Sequence, residues 1–301
     1  MNRHQRTLVA LSGTETDRSL VAYARLLASL GFARHYHFVH VRNPSQEGEA
    51  GRREVQAPAV CEQVVHDAFR DVPGKISHSC HELAGVRVDG LLEFISQQRC
   101  DLTLLGHRKD RSGQRSLARR LAMIAPCSVL MLPEGAPVSI SEIVAPTDFS
   151  RHSADSLEVA VSIAKAARLK RCLAVHVFSD PAILRYEEHV DEIRVHEQEA
   201  FNRFMESVDR QGIEVDPYFV EGNNVARTIL YAAERQGADL LVMSTRGRSQ
   251  AASILLGSVT TQVMVESPRA VLAVKHFGAM MNLFEALKES RFWLTRDPKT
   301  N

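Results

Sequence analysis

At 301 residues, with 45% hydrophobic and 24% charged side chains, the chain has the composition of folded globular protein and about two domains' worth of length. Its 37 Lys plus Arg against 36 Asp plus Glu leave no broad positive field, which argues against nucleic acid or an anionic membrane as a partner. The scattered cysteines Cys61, Cys80, Cys100, Cys127 and Cys172, without metal or redox spacing, predict reduced thiols and a cytoplasmic location.

The N-terminal stretch MNRHQRTLVALSG lacks a signal-peptide pattern, and no run of about eighteen apolar residues predicts a membrane span. TLVALS at 7–12 reads as a first strand, FVHVR at 38–42 as a second, and DLTLLGHR at 101–108 and SVLMLPE at 128–134 as two more. The series then returns as IVAPT at 143–147, AVHVF at 174–178, DLLVMSTR at 239–246 and AVLAVKH at 270–276. Matches recurring in the same order predict a duplicated unit. Each run is Val- and Leu-rich without polar alternation, as in strands buried on both faces, and the stretches between them have helical spacing. Strands alternating with helices predict a parallel sheet with right-handed crossovers.

The expected organisation is a first domain over 1–134, a linker within PEGAPVSISE at 133–142, and a second domain over 140–276. In the second, Ser150 or Ser153 is placed to cap a helix over DSLEVAVSIAKAARL, residues 186–211 read as a long polar helix, and VARTILYAAERQ at 225–236 as another. Beyond 276, Met280, Leu283, Phe284 and Leu287 recur on one helix face, predicting an amphipathic tail helix over 277–301 that packs on its own chain or on a second subunit.

The residues best placed for chemistry lie in STRGRSQAASILLGSVT, 244–260, between a strand and a helix. Gly247 and Gly257 permit backbone conformations that a Cβ would oppose and so let main-chain amides approach an anion, Ser258 and Thr260 add hydroxyls, and the helix opening at Ser258 offers unpaired N–H groups and the positive end of its dipole. Ligands of open parallel sheets settle where the winding reverses, beyond the carboxyl ends of the strands. There Pro146, Thr147 and Asp148 end a strand, Asp148 reading either as an acceptor for a ligand or as a helix-start residue. Other candidates read as structural: His78, Cys80 and His81 in ISHSCHEL as part of a strand, His40 and His176 as matching strand residues, and Arg108, Lys109, Arg111, Arg115, Arg119 and Arg120 as a solvated face.

PTDFS, VHV and RGRS followed by ILLGSVT resemble the motifs of the universal stress protein family, over residues 7–276. The resemblance implies two tandem doubly wound α/β domains, each with a five-stranded parallel sheet in the order 3-2-1-4-5 flanked by helices. The family's signature is a glycine, two residues, a glycine, nine residues and Gly-Ser. Here Gly247, nine residues, Gly257 and Ser258 fit its later part, while Ser244 stands where the first glycine belongs. Carried over, the adenine and ribose contacts fall on Pro146, Thr147, Asp148 and the Val177 backbone, with Met243 beside them, and the phosphate contacts on Arg246, Gly247, Gly257, Ser258, Val259 and Thr260.

In the first unit a four-residue deletion falls on the loop, Lys109 and Arg115 stand in place of the two glycines, and Gly13 or Thr14 in place of Asp148. That unit is expected not to hold ATP. The resemblance therefore implies a non-enzymatic stress-response protein that binds ATP, or ADP or AMP, with Mg²⁺, in its second domain and acts as a sensor or regulator. The alternative is a nucleotide-free scaffold acting through protein contacts, and a slow ATPase comes third because no general base stands near the loop. The apolar last strands SVLMLP and AVLAVK are edges that pair between subunits in the family, so the two units are expected to pair as a built-in dimer, with a homodimer as a further step.

Overall fold

The computed structural model describes residues 4–12, 16–42, 57–84, 88–107, 117–179, 187–245 and 256–275. They form two compact units divided between Val138 and Ser139. The expected tail helix, and Lys109 and Arg115, lie outside the described residues.

In the first unit the strands are β1 (Arg6–Leu11), β2 (His35–Arg42), β3 (Ser77–Ala84), β4 (Leu102–His107) and β5 (Ser128–Pro133). The helices between them are α1 (Thr16–Ser29), α2 (Ala57–Phe69), α3 (Val88–Gln97) and α4 (Leu117–Ile124). The sheet runs β3-β2-β1-β4-β5 and its pairs are parallel. The second unit contains β6 (Ile143–Thr147), α5 (Arg151–Ala166), β7 (Arg171–Phe178), α6 (Glu187–Met205), β8 (Glu214–Glu221), α7 (Val225–Arg235), β9 (Leu240–Ser244), α8 (Ser258–Glu266) and β10 (Ala270–Val274). Its order, β8-β7-β6-β9-β10, repeats that of the first. Both sheets are therefore the expected 3-2-1-4-5 arrangement, with the winding reversed beside the first strand of each unit.

The core explains why these segments are strands. Every residue of β5, β6 and β10 is buried, which only a strand covered on both faces allows. Helices α1 and α5 cover equivalent strands with the same spacing: Leu20, Val21, Tyr23, Ala24 and Leu27 are buried in one, and Ser156, Leu157, Val159, Ala160 and Ile163 in the other, at a constant offset of 136. Each buried leucine contributes about 1.5–3 kcal/mol relative to exposure.

A repeated carboxylate ties strand starts together in both units. Asp101 accepts the main-chain N–H groups of Gln5 at 2.7 Å and Arg6 at 3.1 Å, and Asp239 accepts the N–H of Ser141 at 2.8 Å and also its hydroxyl. Burial pushes the Asp101 carboxyl above its ordinary value despite the two N–H donors. At Asp239 burial pulls the same way, but hydrogen bonds led by Ser141 hold it below.

Helix α6 ends at Met205, short of the expected residue 211. Gln211 and Gly212 turn through positive φ of 48° and 84°, and the Asp209 carboxylate accepts the Gln211 N–H at 3.1 Å. The described cysteines Cys80, Cys100, Cys127 and Cys172 are joined in no disulfide, and burial pushes Cys100 and Cys172 up to about 12. No described helix is long and apolar enough to cross a membrane.

Candidate functional site

In the second unit the ladder between β6 and β9 pairs only Ile143 with Leu240 and Val144 with Leu241. On its other side β6 stays paired with β7 as far as Thr147 and His176. The strands β6 and β9 thus part toward their carboxyl ends, and a cleft of about 660 Å³ opens there. Its lining includes Pro146, Thr147, Asp148, Val177, Met243, Gly257, Ser258, Val259 and Thr260. The structure brings together these nine sequence-predicted residues, while Arg246 and Gly247 lie outside the described residues.

The turn after β6 is built from local hydrogen bonds. Asp148 Oδ1 accepts the Ser150 N–H at 3.1 Å, and Thr147 Oγ1 accepts the Phe149 N–H at 3.1 Å and meets Ser153 Oγ at 2.9 Å. Ser150 caps α5, accepting the Ser153 N–H at 3.3 Å. Of the two expected caps, Ser150 is the one used, and Ser153 instead locks the Thr147 hydroxyl. These contacts hold Phe149 in the left-handed region at φ 61°, which costs a residue with a Cβ on the order of 1 kcal/mol. The Asp148 side chain is left half-buried at the cleft.

Beneath this turn lies an arrangement absent from the sequence reading. His176 Nδ1 is 2.8 Å from the Thr147 carbonyl oxygen, and because a carbonyl only accepts, Nδ1 is the donor. Nε2 of the same ring meets the Glu197 carboxylate of α6 at 3.3 Å. Phe149 stacks on the imidazole at 4.1 Å between centroids with an 18° tilt, and Phe201 and Phe204 of α6 flank Phe149. The available signal was the register: His176 is the β7 residue facing the end of β6.

At the far wall, Gly257 is the N-cap of α8 with no side-chain capping bond. The first turn of α8, Ser258, Val259 and Thr260, lines the cleft, which brings the positive end of the helix dipole to it. The reason for glycine here differs from the expected conformational freedom, since φ −61° and ψ 156° suit any residue. Gly257 N–H donates to the Thr245 carbonyl at 2.9 Å, and a Cβ would lie 3.2 Å from that same oxygen. Thr260 Oγ1 donates to the Ser244 carbonyl at 2.8 Å, tying the helix to the end of β9. Among the described lining residues there is no Lys or Arg, and the main-chain amides at the start of α8 and the Ser258 hydroxyl are donors available to an anion there.

The equivalent corner of the first unit is constructed differently. Leu11 pairs with His40 as Thr147 pairs with His176, which places Ser12, rather than the expected Gly13 or Thr14, at the position of Asp148. Asp17, on the first turn of α1, stands at the position of Ser153. Its carboxylate accepts the Ser12 N–H at 3.0 Å and the Ser12 hydroxyl at 3.1 Å. Serine and aspartate have exchanged places, and the buried His40 Nδ1 has no hydrogen-bond partner among the described residues.

Ser244 also finds an explanation in this comparison. Gly106 holds the corresponding position in β4, where a Cβ would come within 3.2 Å of Leu20 and 3.3 Å of Thr16. In the second unit the place of Leu20 is taken by buried Ser156, which removes the bulk that requires glycine.

The histidines of β3 lie on opposite faces of the strand. His78 faces His66 and Phe69, whereas His81 faces His37 and Phe94 on the opposite side of β3. Among the described residues no three His, Cys, Asp or Glu side chains gather to hold a metal ion.

A model described as the universal stress protein family matches residues 4–133 and again 140–275. A curated universal stress protein of Methanocaldococcus jannaschii is 32% identical over 139 residues, covering 44% of this chain and 81% of that protein. Among solved structures, a universal stress protein from Archaeoglobus fulgidus superposes with TM-score 0.61 at 18% identity, covering 90% of this chain and 98% of its own. A putative universal stress protein from Pseudomonas aeruginosa superposes with TM-score 0.65 at 17% identity, covering 91% and 94%. At those identities the structural likeness speaks for the fold.

Proposed function

This chain belongs to the universal stress protein family, and on that premise we propose that its second unit binds ATP, or ADP or AMP, and acts as a nucleotide-responsive regulator. One observation carries this reading: a single cleft at the strand-order reversal is lined both by Asp148 and by the amino end of α8, whose N-cap Gly257 makes no side-chain capping bond. Asp148 accepts hydrogen bonds from a ribose hydroxyl or the adenine amino group, the Val177 backbone lies beside the base, and Pro146 and Met243 supply apolar floor. A phosphate takes the amides of Ser258, Val259 and Thr260 and the Ser258 hydroxyl. Mg²⁺ would accompany the phosphates and neutralise part of their charge.

The task is binding rather than turnover. The described carboxylates of the cleft are already engaged, Asp148 with the Ser150 amide and Glu197 with His176, which favours holding a ligand over activating a water. The test is to identify any small molecule released on heating gently purified protein, then to titrate the ligand-free protein with ATP and Mg²⁺ by calorimetry. Saturable binding is expected. No heat at about 1 mM ATP, a concentration that reveals even weak sites, would overturn the reading.

A further inference from the structure

Resting on the nucleotide reading above, we propose that Glu197 of α6 is a positioning residue for the ligand site, acting through His176 to fix the peptide from which Asp148 projects. The chain of contacts is continuous. The Thr147 carbonyl is the acceptor at the end of the β6–β7 ladder, and the peptide it belongs to begins Asp148. His176 donates Nδ1–H to that carbonyl at 2.8 Å, so a side chain supplies the donor where the ladder stops. An imidazole held at one nitrogen still pivots about that bond. Glu197 fixes the other nitrogen at 3.3 Å, and the Phe149 ring covers the imidazole face at 4.1 Å. With Nδ1–H committed to the carbonyl, Nε2 attracts the carboxylate when it too carries a proton. The His176 and Glu197 side chains are only 10% and 16% exposed, so water screens this contact less than it would a surface pair.

The first unit supplies the internal contrast. His40 holds the same register opposite Leu11, yet its buried Nδ1 has no hydrogen-bond partner among the described residues. A histidine at this place in the fold therefore does not form the brace unaided. In the second unit the brace also joins α6, which lines the cleft through His196, Glu197 and Ala200, to the strand end carrying Asp148.

The test uses the full chain and calorimetric titration with ATP and Mg²⁺ and, separately, with AMP. Glu197→Ala is expected to raise the dissociation constant for both ligands about 10-fold, the scale of one charge-assisted hydrogen bond. Glu197→Gln, whose amide N–H donates to a neutral Nε2 and whose amide oxygen accepts from a protonated one, is expected to recover most of the loss. Exposed Glu199 on the same helix is the control, and Glu199→Ala should bind as the parent does. A spectroscopic readout accompanies these: the His176 Nδ1 proton, assigned by its loss in His176→Gln, should be protected from solvent exchange in the parent and exchange rapidly in Glu197→Ala. A purely structural Glu197 would lower the ligand-free melting temperature while leaving both dissociation constants unchanged, and that result overturns the proposal while the nucleotide reading stands. A parent protein that binds neither ATP nor AMP overturns both.

Discussion

The carboxyl ends of β1 and β6 share a register and a neighbouring histidine, yet they place their carboxylate in opposite ways. After β6, Asp148 leads and Ser153 packs beneath, so the charge stands at the cleft. After β1, Ser12 leads and Asp17 folds back from α1 to take up its N–H and hydroxyl. His176 braces the first arrangement, while in the second His40 Nδ1 has no hydrogen-bond partner among the described residues. Duplicated folds thus preserve sheets and helix spacing, which many buried contacts determine together, while a few polar residues at the strand ends determine what each copy can hold.

The sharpest way to break this contrast is at Gly257. Gly257→Val crowds the Thr245 carbonyl and covers the amides of α8, and is expected to weaken ATP binding at least about 100-fold, near 3 kcal/mol. Calorimetry on the folded variant checks it. Next, Asp148→Ala removes a charged acceptor and is expected to cost about 2 kcal/mol of binding, roughly 30-fold. Ser12→Ala at the matching position should leave the titration unchanged. If the two substitutions weaken binding equally, the units are not functionally distinct.

Two smaller effects sharpen the comparison through stability. Ser150→Ala removes the α5 cap and should destabilise the second unit by about 1 kcal/mol, seen as faster amide exchange in β6 and α5 with β1 and α1 unaffected. Acid should act on the first unit instead. Burial, followed by the nearby His81, Arg6 and His35 charges, holds His37 down at about 4, and burial also lowers His78 and His81. Below about pH 6.5 the unfolded chain takes up protons that the folded form refuses, so stability is full above that value and falls as pH drops toward 4. Allowing for the part exposure of His37, the loss by pH 5 is about 0.5–1 kcal/mol. It should appear as weakened exchange protection in β2 and β3 relative to β7 and β8.

The duplication was legible because buried parallel strands must be Val- and Leu-rich wherever they occur, and TLVALS and IVAPT declare it openly. The cleft residues were legible for a related reason: Asp148 and Gly257–Thr260 follow directly from strand ends and a helix start. The exchange of serine and aspartate was not. Between a strand and the helix after it, sequence offsets are ambiguous by a residue or two, and only the pairing of Leu11 with His40 settles that Ser12 answers to Asp148. The brace of His176 and Glu197 was hidden because its members lie on different elements and meet only through register and helix packing. The role of Gly257 was misjudged because glycine suggests unusual φ, whereas here the constraint is a neighbouring carbonyl.

Stoichiometry tests the central claim most directly. Ligand-free full-length protein titrated with ATP and Mg²⁺ should bind one nucleotide per chain, and Gly257→Val should bind none. Two equivalents per chain, or one equivalent that survives Gly257→Val, would contradict the assignment of the site to the second unit.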